Sequence, residues 1–428
     1  MLKLPIHYLK KLPKSSLRNY CAELGVQHNI FNRFKKDDYT NITDRVMYHM
    51  NKNLHLKNNH PLSIVRQRIV NYFNKTFVIR NNPVFSVYDQ LPPIVTVDQN
   101  FDSLLVPTNH PSRNKSDCYY INRNYLLRAH MTAHQMDILK TGLNNFLIIG
   151  DVYRRDEIDK THYPVFHQID AVRLKDSKDF FPDNDHFQIF EASDDAESIR
   201  GQEKQPCHTI EAVKIMEEEL KSTLEGLAKS LFGEKIEFQW VDTHFPFTQP
   251  SWELEILHNG QWLETLGCGI MKQSILTSAG VTDKIGWAFG LGLERISMCL
   301  YKIPDIRLFW SKDSGFLNQF DLDNINSNIT YKAVSQFPQC KNDISFWLPE
   351  SKEFSSNDFY DLVRNVGGDL IEQVKLVDKF VHPKSKKVSH CYRIIYRHME
   401  KTLTQKEVNI VHKEIEKNIR NQLGVTIR

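Results

Sequence analysis

The sequence predicts an α+β fold built on a largely antiparallel sheet, followed by a smaller C-terminal domain. Strand-like segments follow one another through hairpins, and long helical segments interrupt them, which favours α+β over a parallel-sheet fold. After about residue 325 the segments read strand, helix, strand, strand, helix, strand, which is the split βαβ order. We therefore expect two structural units.

The helices of the first unit follow from apolar spacing. Residues 60–73 have apolar side chains at intervals that fit one face of a helix. These side chains are Ile64, Val65, Ile69, Val70 and Phe73. A longer helical pattern, rich in Glu, Lys and Leu, covers residues 207–232.

The strands of the first unit are shorter and are bounded by turn residues. We expect them over residues 145–154, 165–173, 236–241, 251–257 and 262–266. The Asn259-Gly260 pair between the last two is a strong hairpin signal. Residues 284–300 run from a strand through two glycines into a helix.

The C-terminal unit is more basic than the chain as a whole. Its expected elements are strands over 342–349, 369–381, 391–399 and 424–428, and helices over 355–367 and 404–423. Residues 331–428 contain 17 Lys and Arg against 12 Asp and Glu, while the whole chain has a net charge of only +3. Such a surface favours a phosphate-bearing partner, because cations release counterions from nucleic acid. The alternative is that these basic residues only form an ordinary solvent-exposed surface.

Composition excludes several classes of protein. No run of about 18 apolar residues is present in the sequence, so a membrane span is not expected. The seven cysteines are scattered singly, without the paired spacing of a structural zinc site, which indicates a reducing compartment. Five basic residues precede the first acidic one, Glu23, and this start fits an organelle transit peptide or a frayed basic arm. No secretory signal pattern is present.

The hairpin over residues 152–170 has an unusual number of charges. Because side chains alternate along a strand, Phe166, Gln168 and Asp170 are expected on one face, with core residues on the other. A ring, an amide and a carboxylate in a row, beside Arg154 on the preceding strand, could bind a base, a phosphate and an ammonium group. A surface hairpin with an Arg–Asp ion pair is the simpler alternative.

A second candidate lies where a strand passes into a helix, in the stretch FGLGLER at 289–295. Gly290 and Gly292 would let a ligand approach the backbone closely, and Arg295 follows one helical turn later. Two glycines in this pattern are often only a sign of tight packing. Together, Arg154 and Arg295 could hold a triphosphate from opposite sides.

These two stretches resemble motifs two and three of the class II aminoacyl-tRNA synthetases. More specific stretches are similar to the phenylalanyl-tRNA synthetases, and the order of units resembles their monomeric mitochondrial form. They are NHPSR (109–113), LLRAHMTAHQ (126–135), THYPVFHQ (161–168), HFPF (244–247), WLETLGCG (262–269) and YKIPDIRLFW (301–310). The resemblance covers nearly everything from about residue 60 to the end. It implies an antiparallel catalytic core and a ferredoxin-like anticodon-binding domain, and it favours the transit peptide.

The resemblance also implies roles in ATP binding. Arg154 and Arg295 would be catalytic, with Arg154 on the α-phosphate and Arg295 across the adenine and on the γ-phosphate. His162 would reach the β- and γ-phosphates, and Phe166 would stack on adenine. Thr161 and Tyr163 fall at ATP-binding positions of the family.

A further set of positions would bind phenylalanine. Phe245 and Phe247, expected on one face of a strand, would surround the substrate ring, although plain core packing is a competing interpretation. The polar end would be formed by Gln168, Asp170, His130, Thr132 and Gln135, with a satisfied buried histidine as the alternative for His130. The remaining positions are Ala133, His134, Ile169, Glu264 and Phe289.

Some residues depart from the family pattern. Asp156 and Asp170 stand where Glu is common, and Thr132 stands where Ser is common, so the functional groups are kept with altered reach. Motif one is weak, with only residues 60–73 and the later Pro92-Pro93 as candidates. Arg155 has no role implied by the family.

The implied function is that of a phenylalanine–tRNA ligase of the mitochondrial matrix. It would use ATP with Mg²⁺ and no protein metal cluster, would bind phenylalanine and tRNA(Phe), and would be a monomer without membrane association. The expected domains are an N-terminal extension at 1–36, a catalytic domain at 37–325 and an anticodon-binding domain at 331–428. The alternatives are an adenylate-forming relative without tRNA charging and an inactive RNA-binding relative.

Overall fold

A seven-stranded sheet organises the first unit. The computed structural model describes residues 30–180, 188–191, 204–322, 324–327, 329–333, 337–349 and 354–428. The strands of this unit are β1 (Val78–Ile79), β2 (Asn82–Pro83), β3 (Ser86–Tyr88), β4 (Ile94–Thr96), β5 (Tyr120–Asn122), β6 (Tyr125–Leu127), β7 (Asn145–Tyr153), β8 (Val165–Asp176), β9 (Phe238–Thr243), β10 (Thr248–His258), β11 (Gln261–Met271) and β12 (Lys284–Gly292). The sheet has the order β3-β7-β8-β12-β11-β10-β9, and its pairs are antiparallel except β3 with β7. The expected antiparallel α+β fold is confirmed.

Helices cover both faces of this sheet. They are α1 (Asp44–His49), α2 (Pro61–Thr76), α3 (Val97–Asn100), α4 (Gln135–Leu139), α5 (Ser177–Phe180), α6 (Ile210–Phe232), α7 (Gln273–Ser278), α8 (Leu293–Tyr301) and α9 (Ser314–Leu317). Short 3₁₀ turns lie at Leu54–Leu56, Asp102–Leu104, Pro111–Arg113, Met131–His134, Ile306–Trp310 and Asn318–Phe320. No helix among the described residues is long and apolar enough to cross a membrane.

The two long helices form where the apolar spacing predicts them. Helix α2 starts at Pro61, a favoured first position, and the His60 side chain accepts a hydrogen bond from the backbone N–H of Leu62. Its buried face contains all five predicted apolar residues. Helix α6 starts at Ile210, three residues later than expected, because the hydroxyl of Thr209 caps it there. Both helices pack in the main core.

The predicted hairpin joins β10 to β11. Asn259 and Gly260 both have positive φ, 51° and 78°, as the favoured two-residue hairpin turn requires. Short strands were not predicted: β4, β5 and β6 form a separate three-stranded sheet. Segments of three residues are too short for their apolar pattern to be distinguished from a loop.

The C-terminal unit has the predicted split βαβ order. Its elements are β13 (Cys340–Trp347), α10 (Ser356–Gly367), β14 (Ile371–Val381), β15 (Val388–Tyr396), α11 (Gln405–Leu423) and β16 (Thr426–Ile427), with a 3₁₀ turn at Gly368–Leu370. Strand β15 starts three residues before the predicted position. The sheet order is β14-β15-β13-β16, and α10 and α11 pack together in the core of this unit.

The expected N-terminal extension lies mostly outside the described residues, which start at Ile30. The described part of it contacts the first unit. Phe34 packs against the ring of Tyr125 with centroids 4.8 Å apart, and Ile30 and Phe31 pack against the main core. Ile30, Phe31 and Phe34 are therefore part of the folded first unit.

Candidate active site

A cavity of about 560 Å³ opens on the face of the sheet opposite α2 and α6. It is lined by residues at the ends of β7 and β8, in the segment 129–135 and in the loop between β9 and β10. Ten predicted site residues line it: His130, Thr132, Gln135, Arg154, Gln168, Asp170, Phe245, Phe247, Glu264 and Phe289. Residues that lie far apart in sequence therefore meet at one site.

The alternation predicted for β8 is confirmed. Val165, His167 and Ile169 are fully buried on the core side, where His167 Nδ1 lies 2.7 Å from Glu294 Oε1. Gln168 and Asp170 face the cavity, and Phe166 lies on the same side with its ring 5.3 Å from Cζ of Arg154. Arg154 itself is half-buried, and its Nε donates to the carbonyl of Ala129 at 2.7 Å.

Glycines flank Asp170 across the sheet. Asp170 pairs with Gly290 of β12, and Gly290 pairs with Gly267 of β11. A Cβ at Gly290 would lie 2.9 Å from Oδ1 of Asp170, and a Cβ at Gly267 would lie 2.7 Å from the ring of Phe245. A side chain at either position would displace Asp170 or Phe245, so the two glycines keep the floor of the cavity beside the carboxylate flat.

Asp170 lies where a carboxylate is costly without a partner. Burial raises its pKa to about 7, although the hydroxyl of Thr132 donates to Oδ2 at 2.6 Å and Arg154 is near. Within the described part of the chain, two neighbouring buried atoms, Gln168 Oε1 and His130 Nδ1, have no hydrogen-bond partner. Burial lowers the pKa of His130 to about 3, so its ring is neutral. A carboxylate with free acceptors beside it suits an ammonium group.

The aromatic wall differs from the sequence prediction in one respect. Phe245 and Phe247 do not share a face of a strand, because both lie in the turn between the end of β9 and the start of β10. Period-two reasoning fails there because a turn reverses the chain. Their rings are still parallel, 5.8 Å apart at 5°, half-buried and on the cavity wall. We call Thr132, Gln168, Asp170, Phe245 and Phe247 the amino-acid end of the site.

The loop after Arg154 lies outside the residues that line this cavity. Asp159 accepts hydrogen bonds from the backbone N–H groups of Thr161 and His162, at 2.6 and 2.8 Å, and from the hydroxyl of Thr161 at 2.9 Å. It also lies 2.8 Å from Nδ1 of His162. Burial opposes ionisation of Asp159, but the hydrogen bonds that it accepts lower its pKa to about 2. Donation from Nδ1 of His162 to Asp159 raises the pKa of His162.

Arg295 also lies outside the cavity lining, but it contacts Glu264, which belongs to that lining. Its side chain is 45% exposed, and Nη1 donates to the carbonyl of Glu264 at 2.9 Å, with Oε2 of that residue 3.7 Å away. On the neighbouring strand, burial and then the charge of Glu264 raise the pKa of Glu253. We call Asp159, His162 and Arg295 the phosphate end of the site.

Other predicted residues lie away from the cavity. Ala133 and Ile169 are buried in apolar cores, and Nε2 of His134 lies 3.0 Å from Nη1 of Arg128. The hydroxyl of Tyr163 donates to Asp369 of the C-terminal unit at 2.8 Å. Contacts of these four side chains with a ligand remain predictions.

Arg155, for which the sequence implied no role, joins the two units. Its guanidinium lies 2.8 Å from Asp358 and 3.3 Å from Asp361, both on α10. It therefore points away from the cavity that its neighbour Arg154 lines. No local signal could have identified it, because its partners lie about 200 residues further along the chain.

The C-terminal unit also contacts the loop of the phosphate end. Arg364 donates to the carbonyls of Asp156 and Glu157, at 3.2 and 2.7 Å. The N–H of Val374 donates to the carbonyl of Ile158 at 2.9 Å, and the Ile158 side chain is buried in the core of the C-terminal unit. The backbone of the loop is thus fixed by residues outside the first unit.

Sequence reasoning also missed a buried ion pair beneath the site. Arg128 pairs with Asp151, and its Nε donates to the carbonyl of Asp151 at 2.6 Å. A Cβ at Gly150 would lie 2.6 Å from the guanidinium of Arg128, so glycine leaves room for this arginine. The ion pair supports the segment that starts at Ala129. In the sequence, the only signal that could have indicated this pair is a single arginine in an apolar stretch.

Comparison with known proteins gives matches over both units. The family described as "tRNA synthetases class II core domain (F)" matches residues 47–181 and 207–320, and the "Ferredoxin-fold anticodon binding domain" matches residues 335–428. The chain is 56% identical to a probable phenylalanine–tRNA ligase, mitochondrial, of Drosophila melanogaster, over 92% of this chain and 91% of the relative. It is 54% identical to the phenylalanine–tRNA ligase, mitochondrial, of Mus musculus, over 92% and 86%. The Saccharomyces cerevisiae protein of that name is 37% identical over 97% and 98%.

Proposed function

This chain belongs to the phenylalanine–tRNA ligases of the class II aminoacyl-tRNA synthetases, and we propose how its residues divide the reaction between them. It is a mitochondrial ligase that activates phenylalanine with ATP and transfers the phenylalanyl group to the terminal adenosine of tRNA(Phe). The matrix is the compartment we propose for it. We also propose that it acts as a monomer.

The amino-acid end supports a phenylalanine site through one observation. Asp170, Gly290 and Gly267 lie side by side on three adjacent strands, and the ring of Phe245 lies over the last of them. Strands are about 4.8 Å apart. The apolar space over β12 and β11 therefore lies one to two strand spacings, about 5–10 Å, from an ammonium held by Asp170. That distance is the reach of phenylalanine from its ammonium to its ring. Phe245 and Phe247 would contact the ring, and Gln168 and Thr132 would orient the polar end.

The phosphate end would bind ATP in line with the substrate carboxylate. Arg154, which lines the cavity beside Phe166, would hold the α-phosphate while Phe166 stacks on adenine. His162 and Arg295 would hold the outer phosphates. The phenylalanine carboxylate then attacks the α-phosphorus, and pyrophosphate leaves. No protein nucleophile is required, since positioning and charge stabilisation perform the catalysis.

Magnesium would accompany ATP, because the family uses it with the nucleotide. The carboxylates of Glu253 and Glu264 fit such an ion, since each offers hard oxygen ligands and the charge of one raises the pKa of the other. Bound Mg²⁺ would neutralise charge on the phosphates.

We propose the domain bounds 37–325 for catalysis and 331–428 for tRNA binding, with residues 1–36 as a targeting extension. The anticodon-binding family match at 335–428 supports the second of these. Because Ile30, Phe31 and Phe34 of this extension pack against the core, we propose that they stay in the mature protein and that only residues before Ile30 are cleaved.

Phenylalanine-dependent exchange of pyrophosphate into ATP, followed by charging of tRNA(Phe), tests the proposal. We expect both activities, with exchange much slower when tyrosine replaces phenylalanine. Absence of exchange would overturn the proposal. Exchange without charging would favour the alternative of an adenylate-forming relative that uses no tRNA.

A further inference from the structure

The stretch NHPSR at 109–113 reaches the cavity, but neither the phenylalanine site nor the ATP site includes it. His110 precedes a 3₁₀ turn, and its Nδ1 accepts the backbone N–H of Ser112 at 3.2 Å. The hydroxyl of Ser112 lies 2.7 Å from the same nitrogen. Because Nδ1 accepts a hydrogen bond, the proton of the neutral ring is on Nε2. Four cavity-lining residues come from this part of the chain, and we call them the His110 wall: His110, Ser112, Asp117 and Cys118.

A second His-Pro pair shows what such a histidine does when it is only a helix cap. His60 precedes Pro61 at the start of α2, and its Nδ1 accepts the N–H of Leu62 at 3.3 Å. Nε2 of His60 lies 2.9 Å from the carbonyl of Phe309, and the residue is 3% exposed. His110 forms the same cap but is half-buried in the cavity wall, and its Nε2 has no hydrogen-bond partner within the described ranges. His110 thus offers an unused N–H donor to a ligand of the cavity.

The turn that holds His110 is fixed by contacts with other parts of the chain. Arg113 donates to Asp102 at 2.6 Å, and the thiol of Cys118 donates to the carbonyl of Ser112 at 3.1 Å. These contacts hold the turn at both ends. The direction of the His110 ring is therefore set before a ligand arrives, which lowers the entropy lost on binding.

The position of the His110 wall in the sheet indicates which ligand it faces. The N–H of Arg155 donates to the carbonyl of Asp117 at 2.9 Å, so the wall lies against the end of β7, beside Arg154. Sheet order places β7 on one side of β8, and β12 and β11 on the other. The proposed space for the phenylalanine ring is over β12 and β11. The His110 wall lies on the opposite side, next to the residue proposed to hold the α-phosphate.

Phenylalanine and ATP have proposed positions, which leaves the terminal adenosine of tRNA as the third substrate. One of its ribose hydroxyls must attack the carbonyl carbon of the phenylalanyl-adenylate, which an oxygen joins to the α-phosphate. The ribose must therefore enter beside Arg154, on the side of the His110 wall. The wall also contacts the unit that matches the anticodon-binding family, since Asn357 of α10 donates to Asp117 at 3.2 Å. A ribose oxygen is a suitable acceptor for the neutral N–H of His110.

We propose that His110 donates its Nε2–H to the ribose hydroxyl of the terminal adenosine that does not attack, and that Ser112 orients the ring. The inference rests on the proposed function, because it takes tRNA as the third substrate. His110 holds the ribose while the neighbouring hydroxyl attacks, so it acts in the transfer step. Activation of phenylalanine by ATP does not depend on it.

The two half-reactions separate this role in the full-length enzyme. His110→Asn keeps a capping oxygen for the N–H of Ser112 but is too short to replace Nε2. We expect single-turnover transfer of phenylalanine from the bound adenylate to tRNA to slow about five- to tenfold, as for the loss of one hydrogen bond. Pyrophosphate exchange should stay within twofold of the wild type. His110→Gln, whose amide N–H reaches the place of Nε2, should restore most of the transfer rate.

His60→Asn is the matched control. It keeps the cap of α2 and removes the hydrogen bond to Phe309, so it should lower the melting temperature and leave the ratio of transfer to exchange rates unchanged. If His110→Asn also leaves that ratio unchanged, or if His60→Asn lowers it equally, the inference is wrong. Should His110→Asn fail to fold, Ser112→Ala gives the same comparison, with a smaller expected slowing of transfer of about threefold.

A second arm identifies the contacted atom. Of two tRNAs that end in 2′-deoxyadenosine and 3′-deoxyadenosine, the one that is still charged lacks only the hydroxyl that does not attack. With the wild-type enzyme its transfer should be slower than that of unmodified tRNA, and His110→Asn should slow it no further. Additive losses would overturn the inference. Exchange without any charging by the wild type would instead overturn the proposed function.

Discussion

The two ends of the active site are held in different ways. The amino-acid end is formed by β8 and by two turns of the catalytic unit, and its partners come from that unit, as in the hydrogen bond from Thr132 to Asp170. Asp159 and His162 of the phosphate end lie on a loop whose backbone carbonyls accept hydrogen bonds from Arg364 and Val374 of the C-terminal unit. Phenylalanine affinity should therefore depend on one unit, while ATP affinity should depend on both.

The largest effect should come from the residue between the two ends. Arg154→Ala removes the cation that we propose to hold the reacting phosphate, and we expect the kcat of pyrophosphate exchange to fall by about 10²–10³-fold. The neighbouring Arg155→Gln is the control. Because Arg155 faces α10, that variant should keep exchange within a few-fold and lower the melting temperature instead. Equal losses of kcat in both variants would contradict the assignment.

The amino-acid end is tested alone by Asp170→Asn. The amide keeps the shape but loses the charge that we propose to pair with the ammonium of phenylalanine, and charged hydrogen bonds contribute about 1.5–3 kcal/mol. We expect the KM for phenylalanine to rise about 10–100-fold and the KM for ATP to change less than twofold. Thr132→Ser, which keeps the hydroxyl, should behave like the wild type. A matching rise in both KM values would show that the ends are not independent.

The two ends should respond to pH in opposite directions. Asp170, with a pKa of about 7, must be ionised to pair with an ammonium, so the KM for phenylalanine should rise about tenfold from pH 8 to pH 6. His162, whose pKa its hydrogen bond to Asp159 raises, is protonated on the acid side, so the KM for ATP should fall over the same range. Asp156 and Glu157 act on His162 in the same sense. Asp170→Asn should remove only the first trend and His162→Gln only the second.

The smallest effect tests the contact between the units. Arg364→Ala removes two hydrogen bonds to the loop backbone, and we expect the KM for ATP to rise about two- to fivefold because net hydrogen-bond contributions are near 1 kcal/mol. The KM for phenylalanine should not change. Lys401→Ala removes an exposed ion pair with Glu407 elsewhere in the C-terminal unit, and it serves as the control. An unchanged KM for ATP would mean that the loop holds its shape alone.

The fold and much of the site could be predicted because their signals are local. Three features depend only on residues that are close in sequence. They are the apolar face of α2, the hairpin at Asn259-Gly260 and the shared face of Phe166, Gln168 and Asp170. The short strands β4, β5 and β6 could not be predicted, since three residues show no period. Phe245 and Phe247 line the cavity as predicted, but from a turn and not from a strand.

The sequence by itself determined which side chains of β8 share a face, where the long helices and longer strands lie, and which family the motifs resemble. Only the tertiary structure decided that Arg154 lines the cavity while Arg155 binds Asp358 and Asp361, and that Ile158 lies in the core of the other unit. The physical reason is the range of the interactions. Backbone geometry sets side-chain direction within a few residues, whereas an ion pair or a packed interface depends on how distant segments meet in the folded chain.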